Sequence, residues 1–317
     1  MELRQLAHFI AVVDERAMGD AARKLGMSQG ALSKSIQALE RSLGAPLFTR
    51  SKRGMALNQF GQAIEVRARL ILAESGRARN SIRELLGVQR GKVAIASTAL
   101  FSGAILPRAI TRFRETHPGI DLYVQAAYVD GPFNAVSHGS VDFTLTSLHA
   151  RPLAPNLTSE VLLPKVPVSI VASGDNPITR RRNVTVEELA HCPWILPAYP
   201  SFFGAAFNEL FARHRLPAPQ PAIECESIPL THRLLREGPF VGMTSETLLA
   251  DELKSGAIRR VDLGPRFKIE LDAGAVWRKD EPLMPAADAL LKCIREVCAE
   301  IRRAELVRVG VRRSGRA

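Results

Sequence analysis

The chain has 317 residues, 46% hydrophobic and 24% charged. At ~150 residues per domain this implies about two globular domains and excludes collagen-like, wholly disordered and disulfide-scaffold classes. The net charge of +11 is segregated: residues 1–90 carry +7 (15 basic, 8 acidic), 91–301 carry −1 (22 and 23), and 302–317 carry +5 (6 and 1), a distribution that predicts a nucleic-acid-binding head joined to a neutral body.

In chain order, Leu3, Leu6, Ile10 and Val13 recur at three- and four-residue steps, the apolar face of a first helix. Asp20 can cap a short second helix that ends at Gly26. Ser28 can cap a third, which turns Ala31, Leu32, Ile36 and Leu39 inward and ends at Leu43-Gly44. Two helices joined by Gly26-Met27-Ser28 make a helix-turn-helix. Pro46–Leu57 reads as two short strands around a basic wing, Ser51-Lys52-Arg53-Gly54.

Asn58 can cap a helix reaching about Val88. Ile64, Ala68, Ile71, Ser75, Ala78, Ile82 and Leu85 alternate four- and three-residue steps over about three heptads. Such a seam, with no sequence neighbour to cover it, predicts pairing with a second copy through Ile64, Ala68, Ile71, Ala78, Ile82 and Leu85. From Lys92 onward, short apolar runs (Val93–Ala96, Ile120–Gln125, Phe143–Leu145, Val168–Ala172, Trp194–Leu196) alternate with helical stretches (Leu106–Thr116, Phe203–His214, Pro229–Glu237, Ser245–Lys254). This alternation predicts an α/β body with a mainly parallel sheet, large enough for two lobes. The basic tail 302–317 is expected to be frayed.

The third helix carries the strongest chemistry. Gln29, Ser33 and Gln37 share one face with Lys34 beside them. Glutamine can pair with adenine, lysine can donate to guanine, and serine serves bases or phosphate. Lys52 and Arg53 suit phosphate or minor-groove contact.

Residues 1–60 resemble the DNA-binding head of LysR-type transcriptional regulators. The resemblance rests on Ala21-Ala-Arg-Lys-Leu-Gly-Met-Ser-Gln-Gly-Ala-Leu-Ser-Lys-Ser-Ile-Gln-Ala-Leu-Glu40, then Leu43-Gly-Ala-Pro-Leu-Phe-Thr-Arg50, Arg53-Gly54 and Leu57. It implies operator contacts from Gln29, Ser33 and Lys34 and a wing contact from Arg53. Arg50, with Glu40 nearby, reads as a helix-to-wing ion pair. Three departures bear on operator sequence and affinity. Gly30 stands where the family usually has proline, Ala17-Met18-Gly19-Asp20 replaces a usual Ser-Phe pair, and Asn58 replaces a threonine cap.

More loosely, the resemblance implies an α+β multidomain protein: a winged helix-turn-helix (1–60), a linker and dimerisation helix (61–90), and an effector-binding domain (91–301). That domain is similar to periplasmic solute-binding proteins, with one lobe at 91–163 and 267–301, the other at 164–266, and chain crossings near Leu163-Pro164 and Arg266–Lys268. Hydroxyls and rings following strands are the candidate effector ligands: Ser97, Thr98, Thr146, Ser147, Tyr199, Ser201, Phe202 and Phe203. The expected partners are operator DNA, a small-molecule effector (an organic or aromatic acid), further copies of the chain as a dimer of dimers, and RNA polymerase.

No run approaches the ~18 apolar residues of a membrane span, and Leu6–Val13 is too short and too closely flanked by charge for a secretory leader. A cytoplasmic location without membrane contact is expected. Cys192, Cys225, Cys293 and Cys298 form no CxxC pair, so no zinc site or disulfide framework is signalled, and with no H-E-x-x-H or P-loop motif no metal or cofactor is expected. Gly26-Met-Ser28-Gln-Gly30 matches a nucleophile-elbow pattern, but a charged helix precedes it where the elbow needs a strand, so no enzyme is expected. The alternative reading is a cytoplasmic solute-binding protein without a DNA role.

Overall fold

The computed structural model of the chain describes residues 1–51, 54–85, 91–127, 131–148, 153–197, 201–264 and 268–314. It divides into two compact units, Met1–Gly91 with Ser137–Val141, and Lys92–Val136 with Asp142–Ala317.

The first unit contains α1 (Leu3–Glu15), α2 (Met18–Lys24), α3 (Gln29–Leu43), β1 (Phe48–Ser51), β2 (Gly54–Leu57) and α4 (Gln59–Leu85). Ser28 caps α3, its Oγ accepting the Ala31 N–H at 3.2 Å, and Gly44 ends the helix in the left-handed region at φ 72°. Asp20 does not cap α2. The helix starts two residues earlier, after Ala17, which leaves Asp20 in the first turn as an ion-pair partner of Arg23. Leu6, Phe9, Val12, Ala21, Leu32, Ile36, Leu39 and Leu47 form the core, while Ala31, expected inward, is exposed. Each large apolar side chain in such a core contributes about 1.5–3 kcal/mol by its burial.

The start of α4 is built into this core. The Asn58 carboxamide oxygen accepts the Gly61 N–H at 2.9 Å, and its nitrogen donates to Pro46 O at 2.8 Å. A Cβ on Gly61 would lie 2.2 Å from Leu47 O, so only glycine permits this approach. Ala68 is fully buried in the head's own core, where Ile64 and Leu72 also pack, and Arg69 bridges Asp14 (2.6 Å) and Glu65 (3.0 Å). The expected seam is therefore divided. Ile64 and Ala68 serve the head, while Ile71, Ala78 and Ile82 stay exposed. The Leu85 side chain lies outside the described residues.

The second unit runs β3 (Gly91–Ser97), α5 (Ala99–Ala104), α6 (Leu106–Thr116), β4 (Ile120–Ala126), α7 (Gly131–Ser137), β5 (Phe143–Leu148), β6 (Leu157–Ser173), α8 (Val186–Leu189), β7 (Trp194–Leu196), α9 (Phe202–Arg213), β8 (Ile223–Glu224), α10 (Ile228–Glu237), β9 (Val241–Ser245), α11 (Ala250–Ser255), β10 (Ile258–Arg260), β11 (Ile269–Arg278) and α12 (Pro285–Ser314). One sheet orders these strands β4-β3-β5-β11-β6-β9-β7-β8, with β10 on β6.

The sheet is mixed, which corrects the mainly parallel expectation. β3–β5, β7–β9 and β7–β8 are parallel, but β5–β11, β11–β6 and β6–β9 through the middle are antiparallel. The sequence conceals this because β6 is 17 residues long, interrupted by Pro164 and Pro167 and polar at Thr158-Ser159-Glu160, so only its second half has an apolar strand pattern. α12 continues to Ser314, which corrects the expectation of a frayed tail from 302. Between Arg302 and Val309 no glycine or proline interrupts the helix.

Candidate nucleic-acid interface and ligand cleft

On α3, burial of Leu32, Ile36 and Leu39 turns the opposite side outward. Gln29, Lys34 and Gln37 are exposed and Ser33 is half-buried, so the four side chains proposed from spacing lie on the accessible side of the helix. Behind them, His8 Nδ1 on α1 lies 2.7 Å from Ser35 Oγ, and the Glu40 carboxylate accepts the Leu47 N–H at 2.7 Å. Burial first, and then the Arg4 charge, hold the His8 imidazole below its ordinary pKa. Lys52 and Arg53 lie outside the described residues, as does the Arg50 side chain, and with it the expected pair to Glu40. Ser28 follows a helix and uses its hydroxyl as a cap, which is not the strand-to-helix elbow of a nucleophile.

The point on which the strands of the second unit converge follows from their register. β3 runs alongside β5 and, through β11, toward Glu160 of β6: Ser97 opposes Leu145, which opposes Ala275, which opposes Glu160. From the other end, β9 runs from Val241 opposite Ala172 to Ser245 opposite Val168, with β7 parallel to it. The carboxyl ends of β3, β5, β7 and β9 therefore all point at the segment 161–167 of β6. Open α/β sheets bind ligands beyond the carboxyl ends of strands. At the crossing, Lys165 adopts the left-handed region at φ 53°, and its N–H donates to the Asp272 carboxylate at 2.9 Å.

The expected effector residues gather at these strand ends but are not equally available. Ser97 is buried with its hydroxyl engaged, donating to Thr98 O at 3.1 Å and accepting from Ser102 Oγ at 3.0 Å. Thr146 is buried in the sheet opposite Gly274. Ser201 caps α9, accepting the Gly204 N–H at 3.0 Å. Phe202 and Phe203 are half-buried against the core with rings edge-on at 5.5 Å. Tyr199 lies outside the described residues.

Thr98 is different: its Oγ1 is buried and has no hydrogen-bond partner. A second such oxygen is Ser245 Oγ at the end of β9, and Thr231 Oγ1 and His232 Nε2 in α10 are also buried and unpartnered. Burial lowers the His232 pKa and favours the neutral ring. Ser245, Thr231 and His232 are absent from the sequence-based candidates. The Ser between an apolar strand and a helical run, Val241–Ser245 before Glu246, was the signal available for Ser245. Buried hydroxyls without partners cost about 1–3 kcal/mol each, a cost that a bound polar ligand removes.

Burial raises the thiol pKa of Cys192 and Cys293 and pushes that of Cys298 up to about 12, so all three stay protonated at neutral pH. Among the described residues no helix is long and apolar enough to cross a membrane.

Two family models match the chain: "Bacterial regulatory helix-turn-helix protein, lysR family" over residues 3–62 and "LysR substrate binding domain" over 87–299. The HTH-type transcriptional regulator IlvR of Caulobacter vibrioides is 30% identical over 304 residues, covering 93% of this chain and 98% of IlvR. GalR of Pseudomonas putida is 29% identical over 299 residues, covering 94% of this chain and 75% of GalR. Among solved structures, the LysR family regulator CbnR superposes with a TM-score of 0.66 at 21% identity, covering 94% of this chain and 99% of CbnR. ArgP of Mycobacterium tuberculosis gives 0.66 at 19%, covering 93% and 96%. A further structure, full-length CbnR complexed with its target DNA, gives 0.65 at 20%, covering 94% and 100%. At these identities the structural likeness is one of fold.

Proposed function

The chain belongs to the LysR family of bacterial helix-turn-helix regulators, and from that premise we propose that it reads operator sequence through α3 and changes its engagement with DNA when a small polar molecule fills the cleft at 161–167. Gln29, Ser33, Lys34 and Gln37 make the base and phosphate contacts, with Lys52 and Arg53 on the flanking backbone. The head is residues 1–60 together with the first turns of α4. Dimerisation uses Ile71, Ala78 and Ile82 on the exposed half of α4, and two dimers assemble into a tetramer. Each dimer then presents two recognition helices to half-sites one helical turn apart, or a multiple of it. RNA polymerase is the downstream partner.

The observation that carries the ligand half is the pair of buried, unpartnered hydroxyls, Thr98 Oγ1 and Ser245 Oγ, at strand ends that converge on one crossing segment. Ser201, Phe202 and Phe203 flank the same side at the end of β7, and Ser97 and Thr146 support it from within the sheet. The effector class that fits is a small organic or aromatic acid, held by hydroxyls and helix N-termini and packed on the phenyl rings. A ligand can act only by binding one conformation better than another.

Two measurements test this reading. Duplexes enriched from a random pool should bind about 10³-fold or more tighter than random DNA, and equal affinity for both overturns the operator half. A thermal-shift panel of small organic acids on the full chain should yield a compound that raises the melting temperature and alters operator affinity. Stabilisation with unchanged DNA binding favours instead a solute-binding protein.

A further inference from the structure

The family model covering the second unit ends at residue 299, and beyond it the chain changes character. Residues 302–317 hold Arg302, Arg303, Arg308, Arg312, Arg313 and Arg316 against one acid, Glu305, a net of +5 beside a body of net −1. The backbone there directly continues α12 as far as Ser314. Two acids near the preceding turns are already engaged: Glu300 binds Arg108 and Arg112 at 2.5 and 2.6 Å, and Glu160 binds Arg295 at 2.9 Å.

We propose that the helical extension 302–314 is an auxiliary phosphate-binding arm that engages the backbone of duplex DNA without reading its sequence. This deepens the operator-binding reading above and rests on it. From Arg302 to Arg313 the helix rises about 17 Å at 1.5 Å per residue, and a duplex carries about one phosphate per 1.7 Å of axis, so it offers more phosphates than the arm has cations. All five cations of the arm are arginine, the side chain that stays charged at any physiological pH and grips phosphate oxygens with two parallel N–H donors. An arm tethered to a chain already held on DNA by its head works at raised effective concentration, so contacts too weak to act alone add to affinity.

The test compares the full chain with a version ending at Ile301, and with the full-length variant Arg302→Gln/Arg303→Gln/Arg308→Gln/Arg312→Gln/Arg313→Gln, which keeps the helix length. Fluorescence anisotropy on enriched and random duplexes is followed across salt. Both variants should bind both duplexes more weakly at low salt by a similar factor. The slope of log affinity against log salt should fall by about three to five, since each phosphate that the arm neutralises adds about 0.9 to it, with the enriched-to-random ratio unchanged. An unchanged slope overturns the arm, and so does a collapse of that ratio, which would place the extension's effect in the assembly of the heads. Retention on phosphatidylglycerol vesicles that disappears on truncation while the DNA slope holds also overturns it, in favour of a membrane surface. A slope that falls in a chain indifferent to sequence upholds the arm and removes the operator reading.

Discussion

His8 Nδ1 and Ser35 Oγ meet at 2.7 Å and tie α1 to α3, the helix proposed to read operator DNA. With the ring proton on Nε2, Ser35 donates to Nδ1, and protonation of the ring abolishes that acceptor. Burial and Arg4 already lower the His8 pKa below 6.5, so the unfolded chain binds this proton more tightly than the folded one. Stability of the head therefore holds above pH 6.5 and falls as pH drops through and below that value. An NMR titration of the full chain should give a His8 midpoint below 6.5, and His8→Gln should flatten the acid limb of the stability profile. A midpoint at or above 6.5 contradicts the sign.

Gly30 occupies the first turn of α3, and a Cβ there meets nothing within 4 Å. Gly30→Ala should stabilise the chain by about 0.5–1 kcal/mol through reduced freedom of the unfolded state. Chemical denaturation would read this as a raised midpoint at constant m-value.

Gly61→Ala should do the reverse. The added methyl collides with Leu47 O at 2.2 Å and the Leu57 side chain at 2.7 Å, and a backbone carbonyl yields poorly. A loss of about 1–3 kcal/mol is expected, as for other overpacked sites. Wild-type stability in this variant would mean that α4 enters the head differently.

Gln29→Ala should relax base preference at one operator position by about 1–3 kcal/mol while leaving random-DNA affinity nearly unchanged. Selection from a random pool, repeated with the variant, measures it directly. Loss of affinity equal on all sequences would make Gln29 a backbone contact.

Thr98→Val should separate stability from ligand response. It replaces a buried oxygen lacking a partner with a methyl of similar shape, so the free protein should be as stable as wild type or more so. The thermal shift produced by the effector should shrink or vanish. A less stable free protein with an intact shift would assign Thr98 a purely structural role.

The head was readable in the sequence because its rules are local. Ser28 and Gly44 bracket α3 at its termini, and the three- and four-residue steps of Leu32, Ile36 and Leu39 set its buried side. Asp20 misled because a capping residue type was present two residues inside a helix that begins without a side-chain cap. Ile64 and Ala68 continue a heptad, but periodicity records only that a face is apolar, not whether its neighbour is α1 or a second chain. The strands at Val93–Ala96, Ile120–Gln125, Phe143–Leu145, Val168–Ala172 and Trp194–Leu196 were legible in the sequence, but β8, β9, β10, β11 and the first half of β6 were not, and the antiparallel centre of the sheet depends on pairings of these distant segments. Thr98 was accessible to sequence reasoning as a residue after a strand. Ser245 carries the same signal at the end of Val241–Ser245 but went unnamed, because its distinguishing property is an oxygen that burial leaves without a partner.

The division of α4 sets the phase of any assembly built on it. Because Ile64, Ala68 and Leu72 lock the first turns to the head, the head and the base of α4 rotate as one piece. A residue inserted after Ser75 adds about 1.5 Å and 100° to everything beyond it. Such an insertion leaves the core of the head intact but turns the exposed Ile82 side away from the direction it shared with Ile71. On the proposed pairing through Ile71, Ala78 and Ile82, insertions of one to seven residues there should form a periodic series, in which operator binding fails and returns with the helical repeat while the fold of each head stays unchanged.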